Sequence, residues 1–186
     1  MKTIIDLGTG DGRFVYKMAK ENPNNEYVGI DPMLSQTKKY ARKINREKLE
    51  NVKLIEASVE KLPTNLNNTA DELYINFPWG SLLAAIAKPD KNLIRNIIKL
   101  LKPKGVLKIV LGYAEEAEPS ETQRLELEKL DENRIIQTFE ELGTDLVTSH
   151  KVEKSEMHKI ESSWGKKLTF GQDRKILSLE FIKTSC

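Results

Sequence analysis

The chain of 186 residues predicts a doubly wound α/β fold, a mostly parallel sheet of seven strands flanked by helices. Three observations carry that prediction. Five strand–helix units alternate along the sequence, and a final pair of strands closes it. An apolar strand with Ile4, Ile5 and Leu7 runs directly into a turn with Gly8, Gly10 and Gly12. The following strand ends on an acid, Asp31, about twenty residues beyond the turn.

Taken in order, strands are predicted over 2–7, 26–30, 51–56, 70–76, 104–112, 145–153 and 175–183. Helices are predicted over 11–21, 33–48, 80–86, 90–101 and 131–142. Asp90 is the expected N-cap of the fourth helix, and Lys102-Pro103-Lys104-Gly105 ends it and starts the next strand. Gly143 is placed to end the last long helix. The stretch 113–130 fits this alternation least: it is either a short extra helix or a lid over a substrate. No internal repeat is present, and the whole of 1–186 reads as one domain.

Composition narrows the function classes. Charged residues make up 31% and hydrophobic ones 39%, an ordinary balance for a soluble domain. No apolar run reaches transmembrane length, so no membrane partner is expected. The chain opens on a strand rather than a secretion signal, and its one cysteine is Cys186, so a reducing cytoplasm is the expectation. Two histidines and one cysteine supply no zinc cluster, and no metal is expected. A monomer is the expected state.

Net charge is only +2, but its distribution is uneven. Lys38, Lys39, Arg42, Lys43, Arg46 and Lys48 crowd one predicted helix. Lys159, Lys166, Lys167, Arg174 and Lys175 form a second basic group near the C-terminus. Between them runs an acidic stretch from Glu115 to Glu132. Each basic run reads either as a solvated face or as a contact surface for nucleic acid.

The glycine turn points to a nucleoside. Glycines at a strand-to-helix turn let the backbone come close to a ligand, and an acid at the next strand tip suits both ribose hydroxyls. A dinucleotide fingerprint is spaced G-x-G-x-x-G and holds a pyrophosphate. Here the spacing is G-x-G-x-G, with Asp6 before it and Asp11 inside it. Two carboxylates would repel a pyrophosphate and suit the ammonium of a methionine moiety. Asp6-Leu7-Gly8-Thr9-Gly10-Asp11-Gly12-Arg13 resembles motif I of the class I S-adenosylmethionine (SAM) methyltransferases. That resemblance implies SAM as cofactor, S-adenosylhomocysteine as product, and a Rossmann-like sheet whose last strand is antiparallel.

In such folds ligands sit beyond the C-terminal ends of the strands. After the third strand, Ser58, Val59 and Glu60 are either neighbours of an adenine or a plain surface turn. After the fourth comes Asn76-Phe77-Pro78-Trp79-Gly80-Ser81, similar to the N-P-P-Y motif of enzymes that methylate exocyclic amines. Proline fixes the backbone there, and Trp79 offers a flat face on which a planar base can stack. Trp164, in Ser162-Ser163-Trp164-Gly165-Lys166-Lys167, combines an aromatic with cations, a common arrangement for a base and its phosphates. Facing each other, the two indoles would clamp a flipped purine.

The two tryptophan motifs together closely resemble the kanamycin–apramycin resistance 16S ribosomal RNA methyltransferases, which methylate N1 of the decoding-site adenine, nucleotide 1408. The likeness runs from Ile5 to about Phe181. It implies that Asp6, Gly8, Thr9, Gly10, Gly12, Arg13 and Asp31 bind SAM, with Ser58, Val59, Glu60, Asn76 and Ser81 beside it. It implies that Trp79 and Trp164 hold the adenine, that Phe77 and Pro78 shape the reaction site, and that Ser81 steadies Trp164 or the substrate. Lys38, Lys39, Arg42, Lys43 and Arg46, with Lys166, Lys167 and Arg174, would dock on 16S rRNA in the 30S subunit. Segments 113–130 and 154–174 would recognise the substrate.

The chain also departs from that family. Its relatives carry some tens of residues, including a β-hairpin, ahead of the first strand, so this sequence is expected to be either truncated or naturally minimal. Gln172 stands where relatives have a further cation, and Asn76 moves its motif toward N-P-P-Y. The rival readings are a tRNA guanine-N7 or adenine-N6 methyltransferase, and a non-catalytic RNA-binding protein keeping the fold. Small-molecule methylation would leave both basic groups unexplained.

Overall fold

The structure, a computed structural model, describes residues 1–112, 119–127, 130–152 and 176–185. In chain order β1 (Thr3–Leu7), α1 (Arg13–Glu21), β2 (Glu26–Asp31), α2 (Lys38–Arg46) and β3 (Val52–Glu56) build the first half. The second half holds β4 (Ala70–Asn76), α3 (Gly80–Ala87), α4 (Lys91–Leu100), β5 (Leu101–Leu111), α5 (Pro119–Leu125), α6 (Glu132–Glu141), β6 (Thr144–Val152) and β7 (Ile176–Lys183). The sheet order is β3-β2-β1-β4-β5-β7-β6. β7 runs antiparallel to both neighbours and the other pairings are parallel, as the resemblance implied.

This order positions the site. The chain winds outward from β1 through β2 to β3, then returns to β4 and winds the other way. Diverging connections leave a crevice above the C-terminal ends of β1 and β4, because neither crossover can cover it. One sheet face is sealed by α3, α4 and α6. Ile5, Leu73, Ile75, Leu107, Ile109, Leu179 and Phe181 lie there with no exposed surface, under Ile86, Ile94, Ile97 and Phe139. Phe139 and Phe181 stack at 4.9 Å between ring centres. The other face carries α1 on Ile4 and Tyr27, through Phe14, Val15 and Ala19. Outside it, α2 packs Tyr40 and Ile44 against Tyr16.

Local chemistry sets the boundaries. Asp90 caps α4, accepting from the Asn92 and Leu93 amides at 2.8 and 3.1 Å. Asp131 caps α6 through the Arg134 amide at 3.1 Å. Gly143 follows α6 with φ +94, a left-handed conformation that favours glycine. The predicted helix 33–48 is shorter than expected. Residues Leu34–Thr37 form a tight 3-10 turn, where the Thr37 hydroxyl donates to the Leu34 carbonyl at 2.8 Å, and α2 begins only after it. β5 begins earlier than expected, since Leu101 pairs with Ala70. Pro103 lacks an amide hydrogen and Lys104 has φ +63, so the ladder breaks there and resumes at Val106. Between residues 113 and 130, α5 is the extra helix of the two alternatives, followed by the buried Leu127. Residues 113–118 and 128–129 lie outside the described residues. Among the described residues no helix is long and apolar enough to cross a membrane.

Removing one ring of the Phe139–Phe181 stack leaves a cavity in a face with no solvent access. Phe181→Ala should cost about 3–5 kcal/mol in urea unfolding. A loss under about 1 kcal/mol would mean that the stack lies outside the cooperative core.

Candidate functional site

Four strand ends converge on one cavity of about 560 Å³, within the roughly 300–1,000 Å³ range of ligand sites. β1 and β2 are tied together at its floor. The Gly8 and Thr9 amides both donate to the Ile30 carbonyl, at 2.8 and 3.0 Å. The Gly10 amide donates to Asp31 Oδ2 at 2.9 Å, and the Met33 amide to Asp31 Oδ1 at 2.8 Å. Gly8, Gly10 and Gly12 take positive φ values of 78, 58 and 77, so the turn needs left-handed backbone at alternate positions. Each Asp31 oxygen thus keeps one lone pair for a further donor. A vicinal diol, which presents two adjacent hydroxyls, matches that pair.

The interior of the cavity is acidic. Asp6, Asp11 and Asp31 line it, and among its described lining residues there is no lysine or arginine. Asp6 is 2% exposed. Burial pushes its carboxyl up to about 7. The Thr9 hydroxyl and Asn76 amide oppose this, and the charges of Asp31 and Asp11 add to it. The opposition is incomplete, because Asp6 Oδ1, Thr9 Oγ1 and Asn76 Nδ2 are buried without a hydrogen-bond partner. Gly29 holds Thr9 in this position: a Cβ there would stand 3.0 Å from both Thr9 Oγ1 and Cγ2.

The cavity rim comes from the turns after β3 and β4. Ser58 and Val59 line it, while Glu60 is exposed outside it. The Ser58 hydroxyl, opposed by partial burial and helped by Ser81, holds the Glu60 carboxyl below its usual range. On the β4 side, Asn76, Phe77, Trp79 and Ser81 line the cavity, and Pro78 does not. Phe77 has φ +51, in the left-handed region a bulky residue rarely adopts, and its amide donates to the Val110 carbonyl at 2.8 Å. Its ring packs with Val110 and Ile176. Trp79 is 46% exposed and precedes the first turn of α3. Arg124 of α5 reaches within 4.0 Å of the Cβ position of Gly80, so α5 borders the same mouth.

A family model for 16S rRNA (adenine(1408)-N(1))-methyltransferase, NpmA, matches residues 1–182. The chain belongs to this family. It is 33% identical over 181 residues to the Escherichia coli 16S rRNA (adenine(1408)-N(1))-methyltransferase, covering 91% of this chain and 82% of that protein. Among solved structures it is similar to the aminoglycoside resistance methyltransferase NpmB1, with 34% identity, a TM-score of 0.83, and 98% and 87% of the two chains covered. It is also similar to a tryptophan-to-alanine mutant of the 16S rRNA (adenine(1408)-N(1))-methyltransferase from Catenulisporales acidiphilia with cosubstrate SAM. There the identity is 25%, the TM-score 0.86, and 99% and 86% of the chains are covered.

Methyltransferases of this family use SAM, and the described cavity fits it. The unpartnered Asp6, Thr9 and Asn76 atoms and the unused lone pairs of Asp31 lie along one acidic channel, which suits a cationic nucleoside and opposes a pyrophosphate. Of the sequence candidates, Asp6, Gly8, Thr9, Gly10, Asp31, Ser58, Val59, Asn76 and Ser81 share this cavity. Gly12 and Arg13 do not line it. Gly12 is the N-cap of α1, and Arg13 is the first residue of that helix. Sequence reasoning missed Met33 and Gln36, which line the rim next to Asp31. The signal was position: Met33 follows the strand-end acid by two residues, so its amide turns back onto that carboxylate.

On α2, Lys38, Lys39 and Arg42 are exposed and Lys43 half-buried, with no ion-pair partner for these four among the described residues. Arg46 instead pairs with Glu47 at 3.4 Å. The ammonium of Lys43 sits 5.4 Å from the Tyr16 ring centre and 5.3 Å from that of Tyr40. Trp164, Lys166, Lys167 and Arg174 lie outside the described residues.

The buried Asp6 has a consequence for stability. Its carboxyl ionises near 3.8 in an unfolded chain and near 7 in the fold, so folding takes up a proton between those values. The ligand-free protein should therefore lose stability as pH rises from about 4 to about 7 and level off above. Asp6→Asn should flatten that slope in urea titrations. An unchanged slope would mean that Asp6 is already ionised throughout.

Proposed function

We propose that this chain transfers the methyl group of SAM to N1 of the decoding-site adenine, nucleotide 1408, of 16S rRNA in the assembled 30S subunit. It acts there as a cytoplasmic monomer. The observation that carries this reading is the half-exposed Trp79 on the rim of an acidic nucleoside-shaped cavity. A large aromatic is normally buried more completely, and one left at a ligand mouth beside a proline is suited to stacking on a base.

The residues divide the work as follows. Asp31 holds the ribose diol, Asp6 receives the ammonium, and Ala57, Ser58 and Val59 run along the adenine of the cofactor. When bound, SAM supplies an electrophilic methyl on a sulfonium. Phe77 and Pro78 fix the turn that presents Trp79, and Trp164 is the second jaw on the flipped base. Stacking on each ring is worth roughly 1–3 kcal/mol, comparable with the few kcal/mol of unstacking. Adenine N1 has an in-plane lone pair and carries no proton at neutral pH, so no general base is required. The N1 lone pair would take the methyl as its bond to sulfur breaks, leaving the neutral thioether of S-adenosylhomocysteine. The positive charge would pass to the adenine, and a ring face tolerates that cation well. Catalysis is positioning and water exclusion. The cations of α2, with Lys166, Lys167 and Arg174, bind the phosphates of folded rRNA.

Primer extension on 30S subunits incubated with the enzyme and SAM should stop at nucleotide 1408, since an N1 methyl blocks base pairing. A modification confined to tRNA, or one that allows read-through, would select the rival base methyltransferases. Binding without methyl transfer would select the non-catalytic one. Trp79→Ala and Trp164→Ala should each lower methylation about ten- to a hundredfold while S-adenosylhomocysteine affinity, read by calorimetry, changes less than about threefold. Loss of that affinity would mean that the tryptophans serve the cofactor side.

A further inference from the structure

Three polar atoms at the cavity floor are buried and unpartnered: Asp6 Oδ1, Thr9 Oγ1 and Asn76 Nδ2. They come from three separate elements, the end of β1, the glycine turn and the end of β4, and their residues line the same cavity. Orphaned buried atoms are rare because each costs free energy, and a cluster of three marks a place completed by something else. The cluster holds an acid, a hydroxyl and an amide donor, so it can accept and donate at once.

The charges around it have one sign. From β2 Asp31 faces Asp6, and from the glycine turn Asp11 does. From β4 the register partner is Tyr74, whose hydroxyl turns away to donate to Glu72 at 2.8 Å. From α1 the lining residue is the apolar Phe14. No cation lines the cavity among the described residues. Burial among acids pushes the Asp6 carboxyl toward its neutral form, and the Thr9 hydroxyl and Asn76 amide relieve this only in part, leaving atoms of all three without a well-formed hydrogen bond.

We propose that Asn76 is a positioning residue for Asp6 and that the pair forms a proton-linked receptor for the ammonium of the methyl donor. Asp6 carries a proton in the free protein and releases it to solvent as the ammonium arrives. The Asn76 amide and Thr9 hydroxyl then close onto the carboxylate. Asn76 thus serves the donor through Asp6. This rests on the reading of the cavity as the SAM site.

The test uses S-adenosylhomocysteine and the full chain, by calorimetry at pH 6, 7 and 8 in two buffers of different ionisation enthalpy. An amino acid ammonium stays protonated over this range, so the ligand adds little proton traffic of its own. With Asp6 ionising at about 7, affinity should rise about tenfold from pH 6 to pH 8, with proton release near one at pH 6 and near zero at pH 8. Asp6→Asn should bind weakly with no pH dependence and no proton release. Asn76→Leu should move the midpoint of the pH profile upward and recover most of its affinity above pH 8. A purely structural defect would instead weaken binding equally at every pH. Wild-type binding that is tight and independent of pH would overturn this inference and leave the cofactor reading intact. Absence of wild-type binding at all three values would overturn both.

Discussion

Much of this molecule depends on how the ends of β1 and β2 are fastened. Two consecutive amides, Gly8 and Thr9, share the Ile30 carbonyl, and two more, Gly10 and Met33, take one oxygen each of Asp31. The carboxylate is therefore both a structural clasp and a preorganised receptor. Its orientation is fixed before any ligand arrives, so little entropy remains to be lost on binding. The left-handed glycines make the clasp possible, since the backbone must double back within a few residues of the strand. That junction sets the floor of the cavity, and the turn after β4 sets the Trp79 rim, with the Phe77 amide donating to the Val110 carbonyl.

The electrostatics of the cavity follow from the same junction. Three aspartates converge where a dinucleotide site would hold phosphates on a helix N-terminus. Here α1 begins at Arg13, outside the cavity lining, and the glycine turn presents carboxylates inward instead. A cationic ligand neutralises this arrangement and an anionic one is repelled. The same acids burden the protein, because Asp6 is buried among them with no cation among the described lining residues. The α2 cations face a different task on the outer surface, where Tyr16 and Tyr40 support Lys43 without neutralising it.

Much of the architecture was legible in the sequence because it rests on local rules. Alternating apolar strands, the Asp90 cap and the Gly143 stop are written in neighbouring residues, and each appears as expected. The early start of β5 was not legible, since the Leu101–Ala70 pairing is a long-range contact that precedes a proline. The start of α2 was missed because a threonine hydroxyl closes the 3-10 turn ahead of it. At the site, Asp6, Asp31 and Trp79 could be named from motif and spacing. The shared burial of Asp6, Thr9 and Asn76 could not, because it joins strands about seventy residues apart that meet only at the switch point. Arg13 and Gly12 are within the motif yet serve the helix start, which spacing alone does not distinguish.

If the β1–β2 clasp and its acidic floor bind the adenosyl donor, Trp79 is left at the mouth for the target base. A crystal structure with S-adenosylhomocysteine tests it most directly. Both ribose hydroxyls are expected on Asp31, the amino-acid end against Asp6 and Thr9, and the thioether sulfur opening toward the Trp79 side. A nucleoside bound away from Asp31, or an adenine stacked on Trp79 itself, would contradict it.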